Sequence, residues 1–201
     1  MPQISRAERG RPGTREALLD AVDALMAERG WAACSLQEIA RRAGLTTGAV
    51  YSAFGSRGAL LAAAMLRRVS AVAQLPADEP DLARAVAAYA RTYYAMGSGT
   101  AGARLVTAQL DLLRLSATDS ALESALRQAY TEVLEGMAAE LQERGGAKLP
   151  APPLELAHRM VAVLQGLTLQ QIALSKSLGE RAFVDAALTA VGLPPKSRTR
   201  R

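Results

Sequence analysis

Between Ser35 and Leu61 the chain alternates helix starts and glycine stops so closely that few folds can contain it. Ser35 can cap a helix, and Glu38 three residues later makes a capping box. Ile39, Ala40 and Ala43 share one face at helical spacing. Gly44 is the left-handed stop, with apolar Leu45 behind it. Thr46 or Thr47 can cap a second short helix, in which Val50 and Phe54 face inward together. Gly55 ends that helix and Ser56 can cap a third. Two short helices joined by a tight glycine turn, with a third following, make a helix-turn-helix.

The composition permits an all-helical protein around this motif. Half of the 201 residues are hydrophobic and only 4% are aromatic, with alanine and leucine dominant. No segment reads as a strand, and no apolar run reaches the ~18 residues of a membrane span. The polar, arginine-rich start lacks the apolar core of a secretion signal. One cysteine excludes an internal disulfide. The expected location is therefore the cytoplasm, with no membrane partner. Net charge is +5. The excess gathers at Arg6, Arg9, Arg11 and Arg15 and at Lys196, Arg198, Arg200 and Arg201. A basic arm beside a helix-turn-helix can add phosphate or minor-groove contacts.

Along the chain the periodicity predicts about nine helices. The first runs from about Thr14 to Arg29 on a stripe of Leu18, Val22, Leu25 and Met26. The second and third are the motif, and the fourth runs from Arg57 to about Gln74. Five more follow the linker at Pro76 and Pro80, among them a long one from Leu154 to Leu178. The expected organisation is a basic arm at 1–13, a three-helix DNA-binding domain at 14–60, a ligand-binding and dimerisation bundle at 61–192, and a basic tail at 193–201.

The segment from Thr14 to Leu61 resembles the DNA-binding domain of the TetR family of bacterial transcriptional regulators. The resemblance rests on Thr14-Arg15, Ala21, Gly30, Ser35, Ile39-Ala40, Ala43-Gly44-Leu45, Gly48, Val50-Tyr51, Phe54, Arg57 and Leu60-Leu61. Gly55 and Gly58 depart from it, standing where the family more often has proline or a charged residue, and Arg57 replaces the usual lysine. The resemblance implies a homodimeric regulator, a repressor released from double-stranded operator DNA by a small effector bound in the second half. An alternative is a helical interaction module without DNA binding.

In a helix-turn-helix the second helix enters the major groove. Thr46, Thr47, Tyr51 and Ser52 are the hydrogen-bonding side chains expected to face DNA, and Gly48 permits close approach. Ser35, Arg15 and Arg57 complete the candidate contacts; Arg57 sits in the first turn of a helix, where the dipole disfavours a cation. Arg41 and Arg42 lie on the outer face of the second helix, open to phosphate or to solvent. A stripe of Tyr89, Tyr93, Met96, Leu105, Gln109, Leu112, Tyr130, Met137, Met160 and Leu164 can line an apolar effector pocket or simply make a core.

The long helix is apolar on two sides, Leu156, Met160, Val163, Leu164, Leu167 and Leu174 on one, Val161, Leu169 and Ile172 on the other. A second subunit is expected on the latter, with Gln165, Gly166 and Phe183 joining the interface. An enzyme fails on inventory: one histidine, one cysteine, no glycine loop for phosphate. His158 follows Glu155 at the spacing of carboxylate-bridged metal bundles, which require two such pairs, so no metal or cofactor is expected. Cys34 has no partner cysteine for a redox role.

Overall fold

The computed structural model describes residues 12–31, 34–70, 74–174 and 178–195. They form nine α-helices and no strand: α1 Pro12–Arg29, α2 Leu36–Arg42, α3 Thr47–Phe54, α4 Arg57–Ser70, α5 Leu82–Gly97, α6 Gly99–Ser116, α7 Ser120–Gly145, α8 Pro153–Ala173 and α9 Glu180–Ala190. The fold class is all-α, as expected. No single helix among the described residues is long and apolar enough to cross a membrane. The charged arm and tail, including Arg6, Arg9, Arg11, Lys196, Arg198, Arg200 and Arg201, lie outside the described residues.

The chain forms two compact units. One holds the described residues up to Arg67 together with Thr107–Ala129; the other holds those of Arg68–Val106 and from Tyr130 onward. The sequence alone suggested a single break near residue 60. Leu60, Leu61, Ala64 and Met65 on the inner face of α4 are buried, and the first unit runs on to Arg67. The start of α7 belongs there too. Asp119 caps it by accepting the Leu122 N–H at 3.0 Å.

In the first unit α1 packs with α2 and α3. Leu18, Val22, Leu25, Trp31, Cys34, Ile39 and Val50 are buried to 1% exposure or less. Arg67 in α4 pairs with Glu16, Asp20 and Asp23 of α1. In the second unit α5, α8 and α9 pack together around Val86, Tyr89, Tyr93, Met137, Leu156, Met160, Leu164, Phe183 and Leu188. The linker before α5 is tied down by Arg144, whose guanidinium donates to the carbonyls of Pro76 at 3.0 Å and Glu79 at 3.1 Å.

The α8 pattern departs from expectation at both faces. Val161, assigned to the outward side, is buried within its own chain, and Leu174, assigned inward, is 59% exposed. Polar Thr168 and Gln171 take inward places instead. The reason is close approach: a Cβ on Gly97 of α5 would lie 2.8 Å from Thr168 Cγ2. Thr168 satisfies itself on the Leu164 carbonyl at 2.8 Å, and the Gln171 amide donates to Ser98 Oγ at 3.1 Å.

Candidate nucleic-acid interface

The turn between α2 and α3 follows directly from Gly44. At φ 66° it takes the left-handed conformation that a side chain would strain. Its N–H bonds the Arg41 carbonyl at 3.2 Å, and the Leu45 N–H bonds the Ala40 carbonyl at 2.8 Å. This is a Schellman closure, and it turns the chain sharply into α3. At the other end of α2, Ser35 Oγ accepts the Glu38 N–H at 3.2 Å. The expected capping box is only half made. The Glu38 carboxylate turns outward to Arg41 at 2.6 and 2.9 Å, because a charged partner competes better than a backbone N–H.

α3 starts at Thr46, whose backbone is extended and whose side chain makes no cap bond. Val50 is its one fully buried residue. Thr46, Thr47, Gly48, Tyr51 and Ser52 are exposed together, Tyr51 at 55%. This is the face the sequence assigned to DNA. Gly48 is notable because a Cβ there would meet only Thr46 Oγ1 at 3.6 Å. Nothing in the chain requires a glycine at that position.

The arginines around α3 have partners within the chain. Arg15 donates to the Ala53 carbonyl at 2.5 Å and lies 4.1 Å over the Phe54 ring. Arg57 Nε donates to the Cys34 carbonyl at 2.7 Å. Its place at a helix start therefore has a fold reason that local sequence could not show, since the acceptor is 23 residues away. Arg42 binds Glu28 at 2.5 and 3.1 Å. The hydrogen bond from Arg42 holds the Glu28 carboxyl below its usual range, and that from Arg41 does the same to Glu38. Both stay ionised at neutral pH and keep these cations paired.

The Cys34 thiol is buried, 3.8 Å from the Gly30 carbonyl. Burial pushes its pKa up to about 11, against an opposing pull from Arg57 and with help from Asp23. The fold favours the protonated thiol, so this contribution to stability is complete below about pH 9 and declines as pH rises toward 11. At pH 8 Cys34 in the folded chain should react with a disulfide reagent at least about a hundredfold slower than in urea. Equal rates would show that the thiol is accessible.

The residues assigned to an effector pocket divide between the units. Gln109 and buried Leu112 belong to the first. Tyr89, Tyr93, Met96, Tyr130, Met137, Met160 and Leu164 belong to the second, where all but Met96 and Tyr130 are buried core residues. The Leu105 side chain lies outside the described residues. The Tyr89 and Tyr93 rings sit 5.2 Å apart. Burial first, then Tyr93 and Glu140, hold the Tyr89 hydroxyl firmly protonated. That hydroxyl is buried and does not reach hydrogen-bond geometry with its neighbour.

Of the residues assigned to a subunit interface, Gly166 and Leu169 are exposed, Gln165 and Ile172 half-buried, and Val161 buried. Phe183 is fully buried in its own chain, edge-on to Tyr94 at 5.5 Å. It belongs to the core in which α9 packs with α5 and α8. His158 is exposed, and Glu155 pairs with Arg159.

Residues 18–64 match the family described as bacterial regulatory proteins, tetR family. Over 127 residues, 59% of its length, the chain is 33% identical to the HTH-type transcriptional regulator AlkX of Mycobacterium tuberculosis. It spans 60% of that relative's length. Among solved structures it is similar to a TetR-family transcriptional regulator from Rhodococcus sp., at 21% identity, TM-score 0.66 and coverage of 90% and 97% of the two chains. It is similar also to the multidrug binding protein EbrR, solved with imidazole, at 22% identity, TM-score 0.65 and coverage of 96% and 99%. Residues 18–64 carry the match to the tetR family of bacterial regulatory proteins, and the likeness in fold extends over the rest of the chain.

Proposed function

We propose that this chain is a cytoplasmic, sequence-specific DNA-binding transcriptional regulator, a repressor that a small, mostly apolar effector releases from its operator. The observation that carries the reading is Gly48. It sits in the first turn of α3 on an exposed face, where a Cβ would meet only Thr46 Oγ1 at 3.6 Å, so its lack of a side chain leaves room for a partner outside the chain. A DNA backbone or base edge meeting α3 closely is such a partner. Thr46, Thr47, Tyr51 and Ser52 surround it with hydroxyl groups. Gly48→Leu should leave thermal stability equal or slightly raised, yet weaken operator binding at least about tenfold. The operator comes from recovery of genomic fragments bound to the purified protein. Unchanged affinity in Gly48→Leu would remove α3 from the DNA surface.

Wild-type binding should also weaken steeply with salt as counterions leave the duplex. A chain that binds no duplex at low salt would instead be the interaction module without DNA binding. The basic arm at Arg6, Arg9 and Arg11 supports such a salt-dependent attraction.

Dimerisation is supported by an exposed strip on α8 made by Leu154, Ala162, Gly166, Leu169 and Ala173. From Ala162 onward these residues recur every three or four positions and suit a helix pair in close contact. For the effector, the second unit offers methionine and tyrosine side chains with a buried, unmatched Tyr89 hydroxyl. An apolar molecule carrying a neutral acceptor oxygen would satisfy it. Glu140 acts on the same hydroxyl and disfavours an anion there.

A further inference from the structure

We propose that Arg15 is a positioning residue for the reading helix: its guanidinium fixes the last turn of α3 and thereby sets sequence discrimination, while making no phosphate contact. The inference rests on α3 being the helix that reads DNA. α3 has eight residues, too few to hold helical structure unaided. It buries one residue completely, Val50, and its N-terminal side-chain cap is unmade. Its carbonyls after Tyr51 lack partners inside the helix, and Ala53 is among them. Arg15 supplies that partner from α1, 38 residues earlier in the chain, at 2.5 Å.

The same guanidinium plane covers the Phe54 ring at 4.1 Å, so the bond and the stacking fix one geometry together. A cation at a helix C-terminus is also favoured by the helix dipole. Each of these contacts is weak where water is near. Together they define the angle at which α3 leaves the turn at Gly44, and base contacts tolerate little error in that angle. Lysine keeps the charge but cannot both lie flat on Phe54 and reach Ala53 in the same way.

Two measurements on the full-length protein separate this role from a phosphate contact. In the free protein, hydrogen exchange at the Ala53, Phe54 and Gly55 amides should speed up about tenfold in both Arg15→Gln and Arg15→Lys, with the α1 amides unchanged. On DNA, both variants should lose about tenfold in the ratio of operator to random-sequence affinity, and the slope of log affinity against log salt should stay at the wild-type value. A phosphate contact gives the opposite pattern: Arg15→Gln lowers the slope by about 0.9, Arg15→Lys restores operator affinity, and exchange in α3 does not change. Either that pattern or unchanged exchange overturns the proposal. If the wild-type chain shows no operator preference, the DNA reading falls, while the exchange experiment still decides whether Arg15 holds α3.

Discussion

A Gly58→Leu chain should lose the fold of its first unit. Judged by helix propensity the expectation runs the other way, since glycine in the first turn of α4 costs about 1 kcal/mol against a good helix former. The packing decides. A Cβ on Gly58 would stand 2.9 Å from Leu122 Cβ, 3.0 Å from the Leu122 backbone nitrogen and 3.0 Å from Asp119 Oδ2. Asp119 cannot step aside freely, because its other carboxylate oxygen caps α7. The backbone nitrogen can move only with the helix. Alanine at this position already crowds the contact by more than its propensity returns; leucine should cost over about 3 kcal/mol. Trp31, the chain's one tryptophan, is 1% exposed within the first unit, so its fluorescence in a urea titration reads the effect directly. A midpoint equal to wild type would mean that α7 does not start against α4.

Phe183→Ala should destabilise the second unit by about 3–5 kcal/mol, the loss usual for deleting a fully buried ring. The ring is 0% exposed and meets Tyr94 edge-on, and its neighbours Ala187 and Leu188 on α9 join the same core. Because these contacts lie within one chain, the drop in thermal midpoint relative to wild type should be the same at every protein concentration. Leu169→Glu, on the exposed strip of α8, should behave oppositely: little change in the core of the monomer, but weaker association by sedimentation. A Phe183→Ala defect that shrinks as protein concentration rises would return the ring to a subunit interface.

Whatever could be settled within a few residues was legible in the sequence. Ser35 and the Gly44–Leu45 pair act through hydrogen bonds no more than five residues long, so the residue types alone specify where α2 begins and ends. The exposed face of α3 followed from helical spacing once Val50 was taken as inward. Charge partners were less visible: Glu38 found Arg41 three residues on, while Arg42 reached Glu28 on the preceding helix.

The tertiary structure alone decided the uses of Arg15, Arg57, Gly58, Phe183 and Leu112. Arg15 and Arg57 look like free cations beside a helix-turn-helix until the carbonyls of Ala53 and Cys34 are brought to them. Gly58 reads as a weak helix start until Leu122 arrives more than sixty residues later and leaves no room for a side chain. Leu112 fits the same apolar stripe as Tyr93, yet contact places it with the first unit and Tyr93 with the second. Periodicity tells which face of a helix is apolar; it carries no information about which distant surface that face will meet, because that is fixed by packing among all the helices at once.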